Sequence, residues 1–340
     1  MSTPQMQRPR LRCEDYSVGW VSALPIELAA AQEMLDEEHA DPHYKSPPED
    51  TLYTFGRIGE HTVVITCLPV GETNNSMAAV MATRMKATFT SIKFSLLVGV
   101  GGGVPGPEAD IRLGDVIISQ PSGQDGGVVQ YDYGKAVPGG FSRTGCLNKP
   151  PTILLQAISK LRANHYRGKG ALTDFLLPLN SRPMFKRGEA HSDLLFEPDY
   201  EHVPGDLCRL CDRHRLIKRP PRQNDDVVIH YGTIASGNCV IRDGRIREKL
   251  KEELRTIICF DMEAAGLMNS FPCLVIRGIC DYADSHKNKK WQPYAATTAA
   301  ATAKELLSLI PAAKVTEMPS ADETTAKLVS DFHLHTFEAE

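Results

Sequence analysis

The segment Phe271–Asp284, FPCLVIRGICDYAD, places two acidic residues directly after an apolar run. Residues Cys273–Ile279 are rich in branched side chains and contain a single Arg, a pattern that is typical of a buried strand in a largely parallel sheet. Asp281 and Asp284 follow the carboxyl end of this strand, which is where open α/β sheets bind their ligands. Since Asp is also a common N-cap, the residues alone leave open whether either acid does chemistry or only caps the next segment.

A third acidic residue, Glu27, lies between a predicted strand, Tyr16–Leu24, and a predicted Ala-rich helix, Leu28–Leu35. Pro25 fits this junction because proline is well tolerated at the opening of a helix. The junction makes Glu27 a candidate site residue. An acidic side chain there can also simply favour the positive end of the helix dipole, and the sequence leaves that alternative open.

Three glycines, Gly101, Gly102 and Gly103, follow another predicted buried strand, Phe94–Val100. A glycine-rich turn after a strand lets a ligand approach the backbone closely. The pattern VGVGGGVPG is not a P-loop, because no Gly-Lys-Ser/Thr follows, and its two prolines disfavour the helix of a dinucleotide site. A plain tight turn remains the alternative.

Predicted strands alternate with predicted helices along the whole chain. This alternation predicts an α/β fold, a three-layer α/β/α sandwich around a mixed, largely parallel sheet. The length of 340 residues gives a prior of about two domains, but no linker divides the pattern. We therefore expect one domain over 15–312 with an irregular insertion at about 181–226, a disordered lead over 1–14 and a flexible tail over 313–340.

The composition is that of an ordinary globular protein, with 42% hydrophobic and 24% charged residues. A net charge of −4 gives no support for a role in binding nucleic acid or membranes. Nine cysteines occur without regular spacing and no apolar stretch is long enough to span a bilayer. We expect free thiols and a reducing, cytoplasmic location.

The insertion contains a Cys-x-x-Cys pair, Cys208 and Cys211, between His202 and His214. Four such side chains can hold a structural zinc ion. The spacing of the cysteines fits a zinc site, whereas the spacing of the histidines is loose. Buried thiols without a metal are the alternative.

Four separated segments together resemble one family. They are ALPIE (Ala23–Glu27), VGVGGGV with LGDVIIS (Val98–Ser119), IASGN (Ile234–Asn238), and DMEAAG with VIRGICDYAD (Asp261–Asp284). Their order and separation resemble the nucleoside phosphorylase and nucleosidase superfamily, of the purine and uridine phosphorylase type. Bacterial methylthioadenosine/S-adenosylhomocysteine nucleosidase and the N-terminal effector-type domain of fungal NLR-like proteins are the members that the chain resembles most.

The resemblance implies a catalytic domain that cleaves the N-glycosidic bond between a base and ribose, and assembly as a dimer or trimer. It implies that Asp281 contacts purine N7, that Glu263 and Met262 hold the ribose 2′ and 3′ hydroxyls, and that Glu27 activates water. It also implies that the loop 236–241 contacts the base edge. The expected substrate-binding residues there and in the glycine segment are Ser236, Asn238, Val240, Gly101 and Gly102. Val240 stands where the bacterial enzymes have an aromatic residue, so we expect no strong base stacking at that point.

These roles agree with the chemistry of the bond. Its cleavage develops positive charge on the sugar and negative charge on the departing base, which suits an acid at the base and a carboxylate near the sugar. We expect burial to raise the pKa of Asp281, so that it carries a proton near neutral pH. Glu27 must instead stay ionised to accept a proton from water, which gives the two carboxyl groups opposite roles in one pocket.

Phosphorylases of this family hold inorganic phosphate with an Arg and a Ser, and the matching positions here are Leu97 and Val100. Neither side chain can bind an oxyanion, so we expect a purine nucleoside or nucleotide N-ribohydrolase that releases adenine. Arg84 or Arg112 leaves a phosphate site elsewhere open, and with it a phosphate-dependent phosphorylase. A domain that binds purine nucleotides without turnover is the alternative from another class, since fold does not fix function.

The segment after Asp284 is basic, which distinguishes it from the mostly neutral segment that lines the 5′-alkylthio pocket of the bacterial nucleosidases. Its candidate substrate-binding residues are His286, Lys287, Lys289, Lys290 and Trp291. Such a segment suits a 5′-phosphate or polyphosphate, and the insertion adds Lys186, Arg187, Lys218, Arg219 and Arg222. ATP or dATP is the leading expectation, with no required cofactor, although Mg²⁺ can arrive with a polyphosphate. The alternative is that the lysines form a solvated face.

Overall fold

The structure is a computed structural model that describes residues 8–44, 50–187, 192–205, 207–224 and 226–327. Its strands are β1 (Val18–Ser22), β2 (Glu37–Glu38), β3 (Tyr53–Ile58), β4 (His61–Cys67), β5 (Phe94–Gly103), β6 (Val116–Ser119), β7 (Val128–Gln130), β8 (Gly134–Val137), β9 (Gly140–Arg143), β10 (Ile229–Ser236), β11 (Ile257–Asp261) and β12 (Cys273–Asp281). Its helices are α1 (Pro25–Glu33), α2 (Asn75–Thr88), α3 (Thr152–Tyr166), α4 (Leu172–Leu176), α5 (Gly244–Leu254), α6 (Ala264–Met268), α7 (Gln292–Ser308) and α8 (Ala312–Thr316). None of these helices is long and apolar enough to cross a membrane.

One mixed sheet contains all the strands except β8 and β9, which form a separate hairpin. The strand order is β11, β10, β6, β12, β5, β1, β4, β3 and β2, with β7 beside β10. The central strand β5 has parallel neighbours on both sides, β1 and β12. Strand β11 also pairs antiparallel with β5, so one end of the sheet closes on itself. The carboxyl end of β12 therefore lies close to β11 as well as to β5.

Two hydrophobic clusters cover the two faces of the sheet. Leu96 and Ile276 belong to the cluster that packs against α1, α3 and α7. Their chain neighbours Leu97 and Val275 belong to the cluster that packs against α2 and α6. Successive strand residues point to opposite faces, so helices lie on both sides of the sheet. The expected α/β/α architecture around a mixed sheet is confirmed.

The glycine segment differs from its prediction as a turn, because β5 continues through Gly103. A Cβ atom on Gly101 would lie 2.6 Å from Cys259 Sγ, and one on Gly102 would lie 3.0 Å from Asp281 Oδ1. Glycine is needed here because β11 and β12 approach the β5 backbone too closely for a side chain. The neighbouring strands thus approach this backbone closely, and an approach by a ligand stays a prediction.

The two ends of the described chain are packed against the rest of the domain. Near the start, Pro9 accepts a hydrogen bond from the Ala40 amide, and Cys13–Asp15 form a short 3₁₀ helix. Near the end, α8 replaces the expected flexible tail, and the buried Ala321 donates its amide to the Ile92 carbonyl. The prediction of a flexible tail is thus wrong up to residue 327, because apolar side chains of this polar segment pack in the core. Residues 1–7 and 328–340 lie outside the described residues.

The insertion has little regular structure, as its composition predicts. In its described residues the structure has a 3₁₀ turn at Arg213–Arg215 and an isolated bridge between Phe196 and Leu216. The insertion therefore depends on side-chain contacts with its neighbours for its position.

Candidate active site

A cavity of about 330 Å³ opens at the carboxyl ends of β5, β11 and β12, beside the start of α1. Its volume lies at the low end of the range for small-molecule sites. The residues that line it are Ala23, Leu24, Glu27, Thr73, Val100, Gly101, Gly102, Cys239, Val240, Ile241, Phe260, Asp261, Met262, Glu263, Cys280, Asp281, Ala283, Lys287, Lys289 and Gln292. The three predicted catalytic carboxyl groups, those of Glu27, Glu263 and Asp281, are thus brought together.

Glu27 both caps α1 and faces this cavity. Its Oε2 accepts hydrogen bonds from the amides of Ala23 and Leu24 at 2.7 and 3.0 Å, and its Oε1 accepts one from the Val100 amide at 2.8 Å. Glu27 therefore occupies a helix terminus and also lines the cavity, while its role in activating water stays a prediction. The three amide donors fix the position of the carboxylate relative to β5, because the amides belong to rigid backbone.

A buried arginine, Arg277, holds the second carboxyl group. Its Nη2 donates to Glu263 Oε2 at 2.9 Å and also to Asp261, and its Nε donates to Asp261 Oδ2 at 3.1 Å. The Arg277 side chain has no exposed surface. A Cβ on Gly99 would lie 2.6 Å from Arg277 Nη1 and 2.5 Å from Glu27 Oε1. Because glycine leaves this space open, the guanidinium and both Glu carboxyl groups form one buried electrostatic cluster.

Burial and these neighbours set the protonation of the cluster. Burial raises the pKa of Glu263 to about 7, while the charge of Arg277 opposes the rise and Asp261 adds to it. Burial also raises the pKa of Glu27, against the opposing effects of Arg277 and the three amides. A carboxylate whose pKa lies above its usual range is a better proton acceptor from water than an exposed one.

Asp281, at the end of β12, is paired with a cation. Lys287 Nζ lies 2.9 Å from its Oδ2, the Cys280 thiol donates to the same oxygen at 3.1 Å, and the Ala283 amide donates to Oδ1 at 2.9 Å. Burial opposes the charge of Lys287, but the Asp281 carboxylate offsets this and raises the pKa of the lysine. Asp281 is therefore buried, as expected, but it also contacts an ammonium group that the sequence did not assign to it.

Asp284 caps the segment that follows it, which is the alternative role considered for both Asp281 and Asp284. Its Oδ1 accepts a hydrogen bond from the His286 amide at 3.0 Å, and its Oδ2 lies 3.6 Å from Arg247 Nη1. Asp281 faces the cavity and Asp284 does not line it. The structure thus separates two acids that the sequence presents as equivalent.

Residues 17–310 match the model of the family described as the phosphorylase superfamily. The chain belongs to this superfamily. The resemblance inferred from the four sequence motifs is confirmed over almost the whole described domain.

Relatives of this superfamily chain include an NLR-like protein of Hyaloscypha variabilis, 47% identical over 90% of this chain and 30% of that protein. The ATP nucleosidase Cap17 of Escherichia coli is 25% identical over 84% of this chain and 49% of that protein. The chain therefore spans half or less of the length of these relatives. The solved 5′-methylthioadenosine/S-adenosylhomocysteine nucleosidase of Helicobacter pylori has the same fold, with a TM-score of 0.55 at 15% identity over 86% of this chain and 98% of that one.

Some of the predicted substrate-binding residues line the cavity, and others lie outside it. Met262, Val240, Gly101, Gly102, Lys287 and Lys289 line it. Ser236 is buried and bonds to Asn75 Oδ1 and the Ala265 amide instead, and Asn238 bonds to Asn75 and Asp132. The backbone of this loop is therefore positioned by Ser236 and Asn238, while Cys239, Val240 and Ile241 reach the cavity.

The rest of the basic segment lies outside the main cavity. Lys290 and Trp291 line a smaller neighbouring cavity of about 190 Å³, which shares Asp281 and Lys287 with the main one. His286 stacks on Phe196, with ring centroids 4.0 Å apart. His286 also lines this smaller cavity, and its role in binding substrate stays a prediction.

The basic residues of the insertion that were expected near phosphates are engaged elsewhere. Arg219 pairs with Asp193 at 2.8 Å, and Arg222 pairs with Asp115 at 2.6 Å. Arg187 lies over the Trp291 ring. These arginines, together with Lys186 and Lys218, are absent from the lining of the main cavity.

The expected zinc ligand set needs one correction. His202, Cys208 and Cys211 are close together, but the fourth member of the cluster is His286. His214 is exposed, and its amide donates to Asp212. His214 was a candidate because it lies near the cysteines along the chain, although its spacing is loose, whereas His286 reaches the cysteines from the loop after β12.

Arg277 and Asp261 are the site residues that sequence reasoning missed. The one signal was a lone Arg in an otherwise apolar strand, and such a charge needs a buried partner. The partner could not be identified from the sequence, because Asp261 belongs to β11, a short strand that was not predicted.

Proposed function

We propose that this chain hydrolyses the N-glycosidic bond of a 5′-phosphorylated purine nucleotide, with ATP or dATP as the leading substrate and adenine as the released base. The observation that carries the proposal is the convergence of Glu27, Glu263 and Asp281 on one cavity, where each is fixed by a different set of contacts. Such a set matches the charges that develop when a base leaves a sugar.

In the proposed mechanism, the C1′–N9 bond breaks and its electron pair leaves with the base. Lys287 stabilises this negative charge, and Asp281 gives N7 a proton that it takes from the Lys287 ammonium group. Glu27 accepts a proton from water as the water oxygen bonds to C1′. Glu263, held by Arg277, accepts hydrogen bonds from the ribose hydroxyls and so orients the ring. The products are adenine and the 5′-phosphorylated ribose, and solvent then returns a proton to the Asp281–Lys287 pair and removes one from Glu27.

Water is favoured over phosphate as the nucleophile. Leu97 is fully buried in the core, and Val100 contributes its backbone amide to Glu27. Arg84 contacts Thr51, and Arg112 pairs with Asp110, so neither lines the cavity. Arg277 does not line it either and is already occupied by two carboxylates. No arginine is therefore part of the cavity lining in the described chain, which leaves inorganic phosphate without a bidentate partner there.

A 5′-phosphate is supported by Lys289. This exposed lysine lines the cavity beside Gln292, the first residue of α7, and has no ion-pair partner among the described residues. Its ammonium group is thus available for a charge-assisted hydrogen bond. The relative Cap17, an ATP nucleosidase, supports the same substrate class. The bond cleavage as written needs no metal, and Mg²⁺ would enter as the counter-ion of the polyphosphate.

The test is to incubate the purified chain with ATP, AMP or adenosine, each with and without inorganic phosphate, and to measure free adenine by chromatography. We expect adenine from ATP without phosphate. Release that requires inorganic phosphate would show phosphorolysis instead of hydrolysis. Release from adenosine alone would show that the substrate needs no 5′-phosphate. Tight nucleotide binding without any release would favour a binding domain.

A further inference from the structure

Four metal-binding side chains meet where the insertion contacts the loop after β12. They are His202, Cys208, Cys211 and His286, and one ligand atom from each lies within 4.8 Å of the others. We propose that they bind a structural zinc ion, and that this ion fastens the insertion to the loop that carries Lys287. Zinc binding itself does not depend on the proposed hydrolysis, because none of the four ligands lines the main cavity, although Cys208 and His286 line the smaller one beside it. The effect of the ion on catalysis does rest on the proposed function.

The distances within the cluster fit tetrahedral zinc. His286 Nδ1 lies 3.5 Å from Cys208 Sγ and 3.8 Å from Cys211 Sγ. In a tetrahedral site with ordinary Zn–S and Zn–N bonds, a sulfur and a nitrogen ligand are about 3.6 Å apart. Two thiolates and two imidazoles also form one of the common ligand sets of structural zinc.

The ring of His286 is oriented as a zinc ligand requires. Its Nε2 lies 3.0 Å from the Tyr200 carbonyl oxygen, and a proton on Nε2 makes this a hydrogen bond. The lone pair of Nδ1 then faces the two sulfur atoms. A carbonyl partner on the second ring nitrogen is the usual support for a metal-bound histidine.

The two cysteines lie in a loop with an unusual backbone conformation. Leu207 and Cys208 both adopt left-handed backbone conformations, with φ of 55° and 52°. Non-glycine residues rarely adopt such angles unless the surroundings impose them. The Cys208 amide donates to His202 Nε2 at 3.3 Å, and the His202 amide donates to Ser285 Oγ at 2.9 Å. The cluster thus connects the insertion to the loop after β12 on two sides.

The ion would affect the active site because its ligand His286 is the chain neighbour of Lys287. His286 immediately precedes Lys287, whose Nζ lies 2.9 Å from Asp281 Oδ2. A fixed His286 limits the movement of Lys287, whereas a free loop lets the ammonium group leave Asp281. The histidine and the cysteines are therefore positioning residues for the Asp281–Lys287 pair.

The test measures zinc in the full chain after dialysis, by elemental analysis and by a chromogenic chelator after thiol modification. We expect one zinc per chain in the wild type and its loss in Cys208→Ser and His286→Ala. His214→Ala and Cys146→Ser are the matched controls, because both residues are exposed and lie outside the cluster. Exchange with Co²⁺ should give a thiolate-to-cobalt charge-transfer band in the wild type and in both controls.

Circular dichroism separates loss of metal from loss of fold. Metal-free wild type tests the effect of zinc on activity without any substitution. Its adenine release should fall about tenfold or more, because small displacements of catalytic groups are costly. The proposal is wrong if dialysed wild type holds no zinc and takes up neither Zn²⁺ nor Co²⁺. The ligand set is also wrong if His214→Ala loses zinc as His286→Ala does. The proposed effect of zinc on the active site is wrong if metal-free protein releases adenine at the full rate. A chain that binds zinc but releases no adenine would retain this inference and overturn only the proposed function.

Discussion

Lys287 Nζ and Asp281 Oδ2 lie 2.9 Å apart at the carboxyl end of β12, where both residues line the candidate active site. The pair places a partly exposed cation next to the buried acid that is proposed to face the base. Negative charge on a departing purine would therefore meet a hydrogen bond donor and a positive charge together. The stabilisation of such charge by fixed groups is commonly a large part of enzymatic catalysis.

Replacing the cation should slow the chemical step. We expect Lys287→Met to lower kcat about 100-fold, because a fixed charge next to the leaving group is removed. Lys287→Arg should recover part of this loss, since it keeps a positive charge near Asp281. Single-turnover measurements with ATP would check the effect. An unchanged kcat in Lys287→Met would show that the pair only supports the loop.

Removing the proposed base should also lower turnover without unfolding the chain. We expect Glu27→Gln to reduce kcat about 10²- to 10⁴-fold, the usual contribution of a positioned proton acceptor. Glu33→Gln, on the same helix but at its carboxyl end, is the matched control and should keep the wild-type rate. Steady-state assays with circular dichroism would separate activity from folding. Equal rates for the two variants would contradict the role of Glu27.

The protonation of Glu263 gives a prediction that does not depend on the substrate. Its pKa is raised to about 7, so the carboxylate that is proposed to accept the ribose hydroxyls is present above this pH and is lost as the pH falls below it. A carboxyl ¹³C resonance of the free protein should therefore titrate near pH 7 and vanish in Glu263→Gln. The rate should fall on the acid side of the same pH. A Glu263 resonance that titrates near the ordinary value for glutamate would contradict the described cluster.

The 5′-phosphate proposal makes a prediction about two neighbouring lysines. We expect Lys289→Ala to raise the KM for ATP about tenfold, the low end of the contribution of a hydrogen bond to a charged group, and to leave the KM for adenosine unchanged. Lys290→Ala, which alters the smaller neighbouring cavity, should have little effect on either. Equal effects on ATP and adenosine would show that Lys289 does not contact a phosphate.

The sequence predicted those parts of the site that depend on local pattern or on family motifs. The strand before Asp281, the helix after Glu27 and the convergence of three carboxyl groups all follow from such features. The extent of β5 did not, because a glycine triplet is typical of a turn unless two neighbouring strands occupy the space beside it. Close packing between distant segments decided that case.

The contacts that the sequence did not predict were missed for a similar physical reason. Arg277 joins Asp261 across two strands, and His286 joins Cys208 although 78 residues separate them along the chain. Spacing rules describe neighbours on one helix, strand or loop, and they favoured His214 over His286 for that reason. Contacts between a late loop and an earlier insertion are fixed only when the sheet assembles.

The most direct test of the proposed chemistry compares adenine release from ATP by the wild type and by Asp281→Asn, without inorganic phosphate. The wild type should release adenine and ribose 5′-triphosphate in equal amounts. The variant should be slower by about 10²- to 10⁴-fold, because the amide cannot supply the proton, and it should keep the wild-type circular dichroism spectrum. Wild-type rates in Asp281→Asn would contradict the assignment of this acid, and a wild type that releases no adenine from ATP would contradict the proposed activity itself.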